Sequence, residues 1–160
     1  MKYIYYVCIA MLFLGCETDE AKVRKIVKEE LAAAAKHQRI DDGYSIGPYS
    51  MGQKVEGFYF ISGQIALRKD ESVLDTTSMD AETRQVMENL MAALRLAGYD
   101  SSHVIATTVY LTDMKQYPVM NNIYGGYFDE ANYPARTTIA VAALPRGAHL
   151  EISAIAYKPQ

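Results

Sequence analysis

The longest apolar stretch comes first. After Lys2, the residues YIYYVCIAMLFLG run for thirteen positions without a charge, short of the ~20 that a membrane-spanning helix needs. A cation followed by a core of that length is the pattern of a signal peptide, an address and not part of a fold. From Glu17 to Gln38 helix formers dominate, and Val23, Ile26, Val27 and Leu31 or Glu30 trace one narrow stripe at helical spacing. This segment reads as a tether that becomes a helix.

Past Gly43, Gly47 and Pro48 the pattern changes to strands. Gly57 to Leu67, GFYFISGQIAL, is β-rich and apolar with Gly63 inside it, and a glycine within a strand often marks a bulge or the close approach of a ligand. Residues 68 to 79 read as a polar loop. Asp80 can cap a helix running to Ala97, in which Val86, Leu90, Ala93 or Leu94, and Ala97 recur at helical spacing before Gly98 stops it. His103 to Leu111, HVIATTVYL, reads as a strand. Pro118 fits the first turn of a further helix with Met120, Tyr124, Tyr127 and Phe128 as its buried stripe, ended by the Asn-Tyr-Pro at 132 to 134. Thr137 to Leu144 and Leu150 to Tyr157 are strand-like runs separated by PRGAH, and the short connection predicts that they pair as a hairpin.

This order predicts an α+β domain of two layers, a mixed sheet with two helices packed on one face. Strands such as HVIATTVYL are apolar at nearly every position, so the other face should be buried too, and a homo-oligomer is the economical way to cover it. The expected organisation is a signal peptide over 1–15, a tether and helix over 16–40, and the domain over 41–160.

Composition narrows the function. Half of the residues are apolar and 22% are charged, enough for one ordinary core. The formal charge is −3, and a chain beginning at Cys16, shorn of Lys2, would carry −4. That argues against a phosphate-binding surface, because nucleic-acid binders gather Lys and Arg on one face. Cys8 and Cys16 both precede the domain, so no disulfide framework can form within it. His37, His103 and His149 share no ligand spacing, so no metal site is expected.

Two resemblances add to this. The stretch Leu12, Phe13, Leu14, Gly15, Cys16 resembles the lipobox of bacterial lipoproteins, with Phe13 where Leu is usual. It implies cleavage before Cys16, lipidation of that cysteine, and an exported, membrane-anchored lipoprotein on a periplasmic or cell-surface face. The same residues also fit a plain signal peptide cleaved elsewhere or an uncleaved anchor. In the domain, IGPYS (46–50), ISGQI (61–65), DMKQYPVMNNIYGGYF (113–128), PART (134–137) and LPRGAHLEISAIA (144–156) together resemble the RidA (YjgF-like) family. The resemblance holds one register over roughly 110 residues.

What the family implies is a chorismate-mutase-like fold, a homotrimer whose sheets line a central barrel, and sites between subunits that hydrolyse reactive enamines and imines. No metal or organic cofactor is implied. Arg136, after Pro-Ala, would bind the carboxylate of an imino acid, and Glu151, opening the EI pair of the last strand, would position the attacking water. Tyr49, Ser62, Gly63 and Asn121 match positions that line the cleft. The residue types suit these roles. A guanidinium grips a carboxylate in two parallel hydrogen bonds, and a carboxylate can take a proton from water and return it to departing ammonia. Met51, Thr138 and the loop at 68 to 79 depart from the family pattern, which bears on substrate preference more than on fold.

A rival of another class is a surface-anchored small-carboxylate binding protein that keeps Arg136 but has no turnover. Glu151 separates the two, since a pure binder has little use for a carboxylate beside its anion.

Overall fold

The computed structural model describes residues 20–34, 37–43, 47–68 and 74–159. The apolar stretch over 1–15 and Cys16 lie outside them. Two compact units are present, Met1–Lys36 and His37–Gln160. The first holds helix α1 (Glu20–Ala34). The second holds strands β1 (Gln38–Ile40), β2 (Gly52–Val55) and β3 (Phe58–Gln64), helix α2 (Met79–Leu96), β4 (Val104–Leu111), helix α3 (Tyr117–Gly125), β5 (Ala135–Ala140) and β6 (Leu150–Tyr157). No helix among the described residues is long and apolar enough to cross a membrane.

The six strands form one mixed sheet in the order β1-β2-β3-β6-β4-β5, which makes the fold α+β. All neighbours are antiparallel except β4 and β5, which run parallel with α3 as their crossover. Along β6 the side chains alternate strictly. Leu150, Ile152, Ala154 and Ala156 are buried, while Glu151, Ser153 and Ile155 are half-exposed on the other face. The buried set meets α2, whose Val86, Met87, Leu90, Ala93 and Leu94 are wholly inaccessible and recur at the spacing of one helical face. Burying a side chain the size of Leu90 is worth about 2 kcal/mol, and this stripe is the centre of the core.

Several sequence expectations need correction. Leu150–Tyr157 does not pair with the strand before it: β6 lies between β3 and β4, and β5 lies on the far side of β4. The PRGAH connection is no hairpin turn. It forms a 3-10 turn at Pro145–Gly147, with Arg146 and Gly147 both at positive φ, and carries the chain across the sheet. The cap of α2 is Ser78, whose hydroxyl accepts from the Ala81 amide at 3.1 Å, while Asp80 pairs with Arg84 one turn on. Helix α3 stops at Gly125, well before the Asn-Tyr-Pro. Strand β1, at the edge of the sheet, and β2 beside it carry too few apolar residues to show in the hydrophobic pattern. Strand β1 falls within the segment expected to be tether, and β5 spans Ala135–Ala140 where Thr137 to Leu144 was expected. Gly98, at φ 81, follows α2, and β3 is irregular between Ile61 and Gln64, around Gly63.

One buried charge ties the helix layer to the sheet. Glu82 of α2 is fully inaccessible, and its Oε1 accepts from the backbone amides of His149 at 2.7 Å and Leu150 at 3.1 Å. Its Oε2 lies 3.0 Å from His149 Nδ1. These donors satisfy a group that would be costly to bury alone, and they pin the first residues of β6. Glu82→Ala should therefore lower the unfolding free energy by about 3 kcal/mol, and Glu82→Gln, which keeps a carbonyl acceptor for both amides, by less than half as much. Urea denaturation of the two variants measures the difference, and equal losses would remove the clamp as the cause.

Candidate active site

Arg136 sits on β5 in register with Thr107 of β4, a buried residue on the helix-covered face. Its guanidinium therefore reaches toward α3. Nη2 donates to the Tyr117 hydroxyl at 3.0 Å and to Asn121 Oδ1 at 2.6 Å, and the group lies 4.6 Å from the centre of the Tyr124 ring. Tyr117, Asn121 and Tyr124 are spaced i, i+4, i+7, so one face of the helix supplies all three contacts. The Tyr124 hydroxyl is fixed in turn by Thr107 Oγ1 at 2.8 Å. Burial raises the Tyr124 pKa, opposed by that hydrogen bond and by the charge of Arg136. No carboxylate pairs with Arg136 among the described residues, so a held, oriented cation is left with donors for an anion.

Glu151 occupies the opposite face of the sheet, in register with Tyr110. Its carboxylate lies over Gly63, where an added Cβ would come within 1.9 Å of Oε1. A glycine at this bulge is thus what makes room for the acid. Removal from water raises the Glu151 pKa above the usual carboxylate range. Ser62, next to Gly63, donates from Oγ to the Ser50 carbonyl at 2.7 Å, and its own amide reaches the Met51 carbonyl at 2.9 Å. Tyr49 is exposed. Ser62 and Tyr49 share a cleft of about 520 Å³ with Arg39, Ser50 and Gln53.

Two groups of residues emerge. Arg136 and Asn121 are in contact, and Glu151 and Gly63 are in contact with Ser62 and Tyr49 nearby. Within one copy the two groups do not meet. Arg136 and Glu151 are separated by two strand spacings and three positions of register, roughly 14 Å, and their side chains leave the sheet on opposite faces. The sequence reading missed Tyr117 and Tyr124, although their helical spacing from Asn121 was on the page, and it missed Gln53, for which no local signal exists. No group of three or more His, Cys, Asp or Glu among the described residues is placed to hold a metal ion.

Comparison with known proteins identifies the family. A family model described as Endoribonuclease L-PSP matches residues 38–158. The chain belongs to this family, the RidA family. It is 44% identical over 113 residues to a RutC family protein of Pyrococcus horikoshii, covering 71% of this chain and 89% of that one. It is 39% identical over 134 residues to a mouse protein named 2-iminobutanoate/2-iminopropanoate deaminase, covering 84% and 91%. The crystal structure of the Escherichia coli YjgF gene product superimposes with a TM-score of 0.71 at 30% identity, over 76% of this chain and 98% of that one.

The expectation of an exported, membrane-anchored lipoprotein does not hold against these matches. The RidA relatives are small proteins made up almost wholly of this domain, with 89% and 91% of their lengths matched in the first two cases. The segment that suggested an anchor lies outside the described residues together with Cys16.

The raised pKa of Glu151 has a measurable consequence for folding. A carboxyl whose pKa is higher in the folded than in the unfolded chain favours folding in its protonated form, and that contribution is lost as pH rises through the folded value. Glu151→Gln should thus be more stable than the parent at pH 7, with the gap closing toward about pH 4. Urea denaturation at both pH values tests this, and a gap of the same size at each would contradict it.

Proposed function

We propose that this RidA-family chain hydrolyses imines of 2-amino acids, at a site to which Arg136 of one copy and Glu151 of another contribute. The observation that carries this reading is the Arg136 guanidinium, oriented by Tyr117, Asn121 and Tyr124 yet lacking a carboxylate partner among the described residues. An imino acid supplies that carboxylate. An enamine first tautomerises to the imine. Glu151 takes a proton from water as its oxygen adds to the imine carbon and passes it to the nitrogen, and the hydroxyl of the adduct then gives its own proton to the nitrogen as the carbon–nitrogen bond breaks, leaving a 2-oxo acid and ammonia. Water is consumed and no redox equivalent is needed.

The name of the mouse relative supports this reaction class. The sheet supports the shared site, because its uncovered face carries Phe58, Phe60, Ile139 and Tyr157, all exposed in a single copy. An apolar face of this kind is stabilised by further copies, and in our reading three copies close into a barrel that brings each Glu151 to a neighbour's Arg136. Asn121 holds the guanidinium, Gly63 leaves space for the acid, and Tyr49 and Ser62 orient the substrate. The family description names an endoribonuclease, but a chain of net charge −3 is poorly suited to a polyanion.

Glu151→Gln should lower kcat by about 10²–10⁴-fold, and Arg136→Lys should chiefly raise KM because the planar fork is lost. Ammonia release from freshly generated imino acids gives both. Arg136→Ala and Glu151→Ala should each be inactive alone, whereas refolding the two together should restore activity in mixed assemblies. Absence of restoration would sink the shared site. If the parent chain binds 2-oxo acids yet releases no ammonia above background, the chain is a small-carboxylate binder instead.

A further inference from the structure

One of the three guanidinium nitrogens of Arg136 is already committed. Nη2 has two hydrogens and two acceptors, the Tyr117 hydroxyl at 3.0 Å and Asn121 Oδ1 at 2.6 Å. A guanidinium makes two parallel bonds to a carboxylate along one of its edges, Nη2 with Nη1 or Nη2 with Nε, and both edges need Nη2. Nε and Nη1 have no hydrogen-bond partner among the described residues. The cation therefore meets an anion with single N–H groups and not with a complete fork. The buried ring of Tyr124, 4.6 Å away, covers one of its faces as well.

The missing prong stands beside it. A phenol that accepts a hydrogen bond still has its own O–H to give, and the Tyr117 hydroxyl donates to nothing among the described residues. The Tyr117 ring packs against the core, which fixes where the hydroxyl ends: next to the exposed contact of Arg136 with Asn121. Accepting from a charged N–H also polarises the hydroxyl and strengthens it as a donor.

From this juxtaposition we propose that Tyr117 is a substrate-binding residue, whose O–H donates to one carboxylate oxygen of the imino acid while a free N–H of Arg136 holds the other. The grip on the carboxylate is thus shared between β5 and α3. A neutral carboxamide in the same place draws less from the pair, because the hydroxyl then meets an uncharged partner. The inference rests on the imine hydrolysis proposed above, which needs Arg136 as an anchor but does not need this hydroxyl.

Tyr117→Phe removes the hydroxyl and keeps the ring that packs on the core, and thermal melting checks the fold. Calorimetry on the full chain measures binding of 2-oxobutanoate and of its carboxamide, and ammonia release is followed from the imine of 2-aminobutanoate, generated in situ by amino-acid oxidation. The variant should bind 2-oxobutanoate about tenfold more weakly. Its kcat/KM should fall about as far, through KM and not kcat, the pattern of a contact made equally to bound substrate and transition state. The loss for the carboxamide should be about threefold at most, since hydrogen bonds between uncharged groups are worth roughly half as much. Unchanged affinity for 2-oxobutanoate, equal losses for acid and amide, or a fall carried by kcat would each overturn the role of the hydroxyl while leaving imine hydrolysis in place. A parent chain that neither binds 2-oxobutanoate nor releases ammonia from the imine would instead overturn the reaction on which it rests.

Discussion

Successive side chains of a strand leave a sheet on opposite faces, and in this protein that alternation governs the candidate chemistry. β4, β5 and β6 share one register, in which Arg136 aligns with Thr107 and Glu151 with Tyr110, three positions further on. An odd offset puts the cation on the face covered by helices and the acid on the face left open. Slipping β6 by one residue would turn the acid to the covered face, but it would also carry Leu150, Ile152 and Ala154 out of the core. The burial of the apolar set therefore dictates where the polar groups go. A single copy presents two half-sites separated by its own sheet, and in the reading proposed here association completes what one chain cannot.

The helix layer enforces the same register. Glu82 holds the amides of His149 and Leu150, two residues and one residue before Glu151, so the acid begins its strand from a fixed point. At the other edge α3 performs the corresponding task for Arg136 through Tyr117 and Asn121. Both devices place a charged side chain by hydrogen bonds from a rigid element, which is what a site held to a few tenths of an ångström requires.

How much of this could be seen in the sequence depended on whether its cause was local. The stripe of α2 and the irregularity at Gly63 were visible because periodicity and a lone glycine are properties of a few neighbouring residues. The cap was placed at Asp80 because Asp is a common cap, yet Ser78 takes that role and leaves Asp80 to Arg84. The hairpin expectation failed for a deeper reason. It assumed that strands close in sequence pair, whereas β6 inserts between β3 and β4, and long-range pairing leaves no trace in a five-residue connection. Arg136 and Glu151 came from a resemblance spanning five motifs. Gln53 stood outside every motif, and only its orphaned oxygen beside a cleft draws notice to it.

Assembly would also change the acid it completes. In one copy, loss of hydration alone pushes the Glu151 pKa up, which favours a form unable to take a proton from water. A guanidinium brought from another copy acts in the opposite sense, because a nearby cation favours the carboxylate. Burial and the cation would then balance, leaving a base strong enough to receive a proton and still ionised near neutrality.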